Sequence, residues 1–332
     1  MKKILLFLVL ILAASACYDD YVLDYDFEGI YFPYQQDVRT FVVGEGMKIK
    51  FGIALGGVRE NNRDRVVNYQ IDNSLVSPAT LALMQGSSST YIKNSVGDPV
   101  ADPGFQLKLL PADYYTLSDD SKIVIEKGQH SGTVTVIPDS AAFLSDPETL
   151  MATYVLPLRL IGADAAEDSI LSTKDFAVIG LKYENMLFGN YWHGGVTVEK
   201  DPGGNVINTT TYYTTIPSAE AQVWRLKTVE PFALTIDGVS NISSSDVPEM
   251  KITMNGGDIQ VSAMPGATFQ VEPDGASVFN QPKLLQDRKI FLNYKYVNGA
   301  GNTCYATDTL TFRNRIRDGI NEWQDENPSH YE

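Results

Sequence analysis

Cysteine is almost absent from this sequence: 332 residues hold two, Cys17 and Cys304. A framework of several disulfides is therefore excluded, and the fold has to rest on a packed core. Histidine is nearly as scarce. His130, His193 and His330 are the full set, and no two of them have the His-x-x-x-His type of spacing used to hold a metal. Cations run short as well, with 26 Lys and Arg against 41 Asp and Glu, a net charge of −15. With no basic cluster to gain from counterion release, nucleic acid is excluded as a partner. The apolar run Ile4 to Leu12 falls short of the roughly 20 residues that span a bilayer. Also missing are a Gly-x-Ser-x-Gly elbow, a phosphate-cradling glycine loop and a nucleotide fingerprint.

What is there begins with a secretory signal: Lys2 and Lys3, the short apolar run, then Ala13-Ala14-Ser15-Ala16 ahead of Cys17. Small residues directly before a cysteine resemble the lipobox of bacterial lipoproteins. The resemblance implies removal of residues 1–16 and a diacylglycerol on the Cys17 sulfur. Several acyl chains, at about 0.8 kcal/mol per buried CH₂, make such an anchor effectively permanent. Asp19 and Asp20 resemble the surface-export signal of Bacteroidota lipoproteins, although Tyr18 stands where a lysine is common. The expected location is thus the outer membrane, lipid-anchored and facing the exterior, with residues 17–28 as a tether. Once Cys17 carries lipid, Cys304 is the only thiol left. Its neighbours Asn302, Thr303, Tyr305 and Ala306 supply no activating base, so it is expected to be a small buried hydrophobe and not a nucleophile.

From Gly29 onward, short runs of Val, Ile, Tyr, Phe and Thr alternate with Gly, Pro, Asn and Asp clusters, which predicts an all-β chain. Strands are expected near Gly29–Pro33, Arg39–Val43, Met47–Leu55, Arg65–Ile71, Tyr114–Leu117, Lys122–Ile125, Gly132–Ile137, Tyr154–Leu160 and Asp175–Leu181, a spacing that favours a two-sheet sandwich over residues 29–182. Asp146-Pro147-Glu148 predicts a short helix to Met151, and Ser74 to Pro111 reads as an irregular insertion. A boundary falls near Lys182 to Leu187. Residues 187–332 read as a second β-domain, an antiparallel barrel or sandwich with lipocalin-like closure among the options. Hairpin turns are expected at Asp201–Asn205 and Asn298–Gly301. Pro217 and Ser218 open either a short helix through Trp224 or another strand.

Leu110-Pro111-Ala112-Asp113-Tyr114-Tyr115-Thr116-Leu117, Gly132-Thr133-Val134-Thr135-Val136 and Tyr154-Val155-Leu156-Pro157-Leu158-Arg159 together resemble the Ig-like domain of unknown function at the N-terminus of many Bacteroidota surface lipoproteins. Asp308-Thr309-Leu310-Thr311-Phe312-Arg313-Asn314-Arg315, with Asp318 to Trp323, resembles the C-terminal β-domain that often accompanies it. The resemblance implies an accessory role in polysaccharide utilisation and carries no ligand residues across.

Candidate chemistry is therefore drawn from residue types. Asp24, Asp26 and Glu28 match part of a family 18 glycoside hydrolase signature, but Tyr21 replaces its first acid. The (β/α)₈ barrel that signature needs is also absent from the pattern, so the match is read as a solvated leader. Asp113, Asp119, Asp120 and Asp139 near strand ends match no calcium-loop spacing, and neither a metal nor a cofactor is expected. The aromatics are more telling. Trp192, Trp224 and Trp323 all lie in the second half, with Tyr212 and Tyr213 nearby in sequence, and sugar rings stack their C–H faces on such planes. These five residues are the candidate glycan contacts of a non-catalytic surface lipoprotein. The competing expectations are that the rings fill the β core, or that the chain is a structural or interaction subunit whose exposed patches meet an outer-membrane protein.

Overall fold

The computed structural model describes residues 28–165, 168–213, 222–243 and 248–325. Cys17, Asp24, Asp26, Pro217, Ser218 and His330 lie outside the described residues. The chain is all-β with a few short helices, as its alternation requires.

In the first half, one sheet runs Gly29–Tyr31, Ile49–Gly56, Ser131–Pro138, Tyr115–Leu117. The facing sheet runs Gln36–Val43, Phe176–Asn185, Tyr154–Ala163, Arg65–Ile71, Lys122–Ile125. Gln36–Val43 lies parallel to Phe176–Asn185, while most other pairs are antiparallel. Period-two alternation does the packing: Gly132, Val134, Val136 and Pro138 point inward from their strand. Phe51, Ile53 and Val134 meet Phe41, Leu156, Leu158 and Ile179 in one apolar core, a sandwich in the Ig-like manner.

The stretch from Ser74 to Pro111 corrects the expectation of irregular chain. It holds two helices, Pro78–Gln85 and Thr90–Ser95. Each starts at a serine cap: Ser77 Oγ accepts from Thr80 N at 3.2 Å and Ser89 Oγ from Ile92 N at 3.5 Å. Ser77-Pro78 is a helix-start signal, and the small polar run after it is the break between the two helices. Met84 of the first helix and Val96, just past the second, pack with Val38 and Ala152 in a small separate core. The short helix expected after Asp146 is a 3₁₀ turn, Pro147–Leu150, capped by Asp146 Oδ1 from Glu148 N at 2.9 Å.

In the second half the strands follow in antiparallel order: Gly189–Lys200, Gln222–Glu230, Ala233–Ile236, Met250–Asn255, Asp258–Ala263, Ser277–Phe279, Lys289–Val297, Thr303–Arg317. The last of these pairs back onto the first over eleven positions, so the sheet closes into a barrel. Val206–Tyr212 adds to the outside of the path as an edge strand, joined through the expected Asp201–Asn205 hairpin. The barrel interior takes alternate residues of its longest strand, Cys304, Ala306, Asp308, Leu310 and Phe312, all buried. Cys304 is thus the buried small hydrophobe expected.

The two halves meet at a turn. Gly44 to Met47 links the two sandwich sheets, with Gly44, Gly46 and Met47 at φ of 94°, 86° and 39°, and it carries Glu45 to one end of the barrel. There the Glu45 carboxylate, 3% exposed, takes a bidentate pair of bonds from Arg315 Nη1 and Nη2 at 2.8 Å each and pairs with Arg288 Nη2 at 2.7 Å. Burial alone would raise the Glu45 pKa, but the Arg315 hydrogen bonds and the two guanidinium charges hold it below the ordinary carboxylate value.

Candidate functional site

The aromatic residues expected to bind glycan do not gather on one surface. Trp224 is fully buried inside the barrel, which overturns its assignment as an exposed platform. Its strand alternates buried and exposed residues over Gln222–Glu230, and position 224 falls on the inner side. There its indole stacks on His193 at 3.5 Å between ring centroids and 10° between planes. Tyr212 is half-buried and turned to the same interior, where its hydroxyl donates to Asp308 Oδ1. Trp192, one residue before His193, points to the opposite face, half-buried beneath Arg313, whose guanidinium sits 4.8 Å from the ring centroid. Tyr213 and Trp323 are open to solvent, at 60% and 59%. Tyr213 follows the strand paired to Gly195–Lys200, whereas Trp323 follows Ile320–Glu322, which pairs with Arg315–Arg317 at the Glu45 end.

The interior cluster is a closed polar knot. Asp308, fully buried, accepts from the Tyr294 hydroxyl at 2.5 Å as well as from Tyr212, and lies 3.3 Å from His193 Nε2. Thr197 and Ser240 continue the chain of bonds, and the Ser240 amide donates to Tyr294 Oη at 2.5 Å. Burial first, and the Asp308 charge second, push both tyrosine hydroxyls well above their ordinary range. Gly195 makes this possible, since a Cβ there would lie 2.2 Å from Thr307 O and 2.7 Å from Asp308 Oδ1. His193 and Asp308 are both sealed from water, so the arrangement organises the barrel interior and offers no face to a solute.

An accessible cavity lies instead where the halves meet. It is a groove of about 570 Å³, within the size range of small-molecule sites. One lip is the turn Gly44–Lys48, and the other is Phe279 to Lys283 with Arg288. Its remaining wall comes from Asn185 and Met186 at the end of the sandwich, from Met254, and from Phe232. Pro231-Phe232 forms the tip of the hairpin between Gln222–Glu230 and Ala233–Ile236. This tip is tied down by Asn185 Nδ2 donating to Pro231 O at 2.8 Å and by Met254 N donating to Phe232 O at 2.8 Å. Phe232 itself is 56% exposed, a large apolar side chain on the rim of a groove lined by both apolar and polar residues. Gln281, on the second lip, adopts a left-handed φ of 54°.

Of the residues singled out in the sequence, Trp323 alone is tied near this groove. Asp325, two residues on, accepts from Leu285 N at 2.7 Å, which fixes that segment beside the Lys283–Arg288 stretch. Sequence reasoning missed Phe232, Lys48, Lys283 and Arg288. Phe232 did leave a signal, an aromatic directly after proline at a hairpin tip where polar residues and glycine are usual. The lysines left none.

A family model described as a "-like, N-terminal domain" matches residues 25–167. No curated protein matches the chain. A crystal structure of a protein of unknown function from Bacteroides ovatus aligns with a TM-score of 0.61 at 20% identity, covering 91% of this chain and 99% of its own. The two share a fold. A multidomain protein including DUF1735 from Bacteroides ovatus (13% identity, 90% and 100% covered, TM-score 0.41) aligns more loosely. So does an auxiliary nutrient binding protein from Bacteroides thetaiotaomicron (16% identity, 86% and 92% covered, TM-score 0.39).

Proposed function

We propose that the chain is a non-catalytic lipoprotein of the bacterial outer surface that binds glycan in the groove between its two halves, with Cys17 as the lipid-bearing residue. The observation that carries this is Phe232: an aromatic residue more than half exposed, on a hairpin tip whose backbone is tied down at the rim of a groove whose walls offer amide and cationic donors. Sugars need that pairing, an apolar plane for one face of the ring and hydrogen-bonding groups for the hydroxyls. A binding role is further supported by the seclusion of His193 and Asp308, which keeps that acid–imidazole pair away from any substrate. The lipobox-like segment supports the anchored location.

Native gels containing dissolved polysaccharides, run with the full chain in mild detergent, test the proposal. Retardation by at least one polysaccharide is expected, weakened roughly tenfold by Phe232→Ala, the scale of a lost aromatic contact. Trp224→Ala would instead unfold the barrel core, and Trp192→Ala is expected to leave retardation unchanged. Unaltered migration in every polysaccharide would sink the proposal.

A second reading has one observation in its favour. The edge strand Val206–Tyr212 exposes Val206 and Ile207 at 59% and 51% and is paired on one side among the described residues, a template for strand addition by an outer-membrane protein. Lysine at both positions would abolish co-elution with such a partner while sparing glycan retention.

A further inference from the structure

Resting on the groove as the glycan site, we infer that its ligand is an anionic oligosaccharide, one whose sugars carry carboxylate or sulfate groups. This chain has a net charge of −15, yet the groove is lined by three cations, Lys48, Lys283 and Arg288, and by a single acid, Glu45. That acid is already taken up by Arg288 and by Arg315 from behind. Lys48 and Lys283 stand exposed on opposite lips, and neither has an acidic partner among the described residues. Two lysines on one groove, with no neighbouring carboxylate to offset them, give it a local positive potential on a protein whose net charge is −15.

Arg288 supplies an independent observation. Its side chain is fully buried beside the groove, Nη1 donates to Met186 O at 2.6 Å, and Nη2 pairs with Glu45. Its Nε has no hydrogen-bond partner among the described residues. That N–H has no exposed surface, so Arg288 adds positive charge beneath the groove and makes no direct contact with a ligand. Phe232 on the rim then takes the apolar face of the same sugar. A neutral glycan could accept hydrogen bonds from both lysines but would leave their charges uncompensated.

Migration of the full chain is compared in native gels containing polygalacturonate, its fully methyl-esterified form, dextran sulfate or dextran. The expected result is retardation by polygalacturonate, by dextran sulfate or by both, with the uncharged counterpart of each weaker. That retardation should fall about tenfold in the Lys48→Ala/Lys283→Ala double variant. It should also weaken as salt rises from low ionic strength. Preference between the two charged polymers assigns the anion as carboxylate or sulfate. Equal retardation by charged and uncharged members, or undiminished binding by the double variant, overturns this inference. If the uncharged polymers still lose retardation with Phe232→Ala, the glycan reading stands without it. Both lysines are exposed, so neither substitution threatens folding, and Lys48→Glu/Lys283→Glu must weaken binding further than alanine.

Discussion

Glu45→Ala is expected to cost about 3–5 kcal/mol of stability, the range found when one partner of a buried ion pair is removed and the other is left behind. Its carboxylate is the only acid in contact with Arg288 among the described residues, and Arg288 is fully buried. Arg315 retains Glu322, whose Oε2 accepts from Nε at 2.6 Å, so the damage falls mainly on Arg288. Urea unfolding followed by tryptophan fluorescence measures this, because all three tryptophans lie in the barrel half. A shift below about 1 kcal/mol, the scale of a surface ion pair, would contradict the account. The effect has a definite pH sign. Glu45 titrates below its ordinary 4.5, so its contribution is fully present above that value and disappears as pH falls through the depressed folded-state value. The gap between wild type and Glu45→Ala should therefore hold constant at neutral pH and close in acid.

Asp308→Ala is expected to cost about 3 kcal/mol, since it removes the charged acceptor of the Tyr212 and Tyr294 hydroxyls at about 1–3 kcal/mol each and leaves them only their bonds to Thr197 and Ser240. Asp308→Asn, which keeps an acceptor oxygen and the shape, should cost less. The tyrosines add an alkaline signature. Both hydroxyls titrate above the usual 10 in the folded chain, so the stability they confer is complete below that pH and is lost as pH rises from it toward the folded values. Spectrophotometric titration should show these tyrosines silent near pH 10 until the chain unfolds. Ionisation of every tyrosine near 10 in the folded protein would refute the closed cluster.

Strand positions were legible because β structure writes its burial into period-two alternation. Ser131–Pro138 and Thr303–Arg317 can be read residue by residue in that way. The helices at Pro78 and Thr90 were harder to see, since each is short and its cap is a serine inside a small polar stretch. Of the candidate groove, little was legible in the sequence. Aromatic rings concentrated in the second half do point to that half. Alternation alone, however, could not tell which rings face the interior without the strand limits, and Trp192 and Trp224 therefore fall on opposite sides of the barrel wall. The groove itself depends on contacts between residues far apart in sequence. Glu45 meets Arg288 and Arg315 because the sandwich turn docks on the barrel end, and no local pattern announces that pairing.

The central claim is that the junction groove holds glycan. The most direct test is a crystal structure of the full chain with an oligosaccharide taken from the polymer that retards it most strongly. The account predicts a sugar ring against Phe232, with an anionic oxygen within hydrogen-bond distance of Lys48 or Lys283. A ligand seated on Trp323, Tyr213 or Trp192 with the groove empty would contradict it.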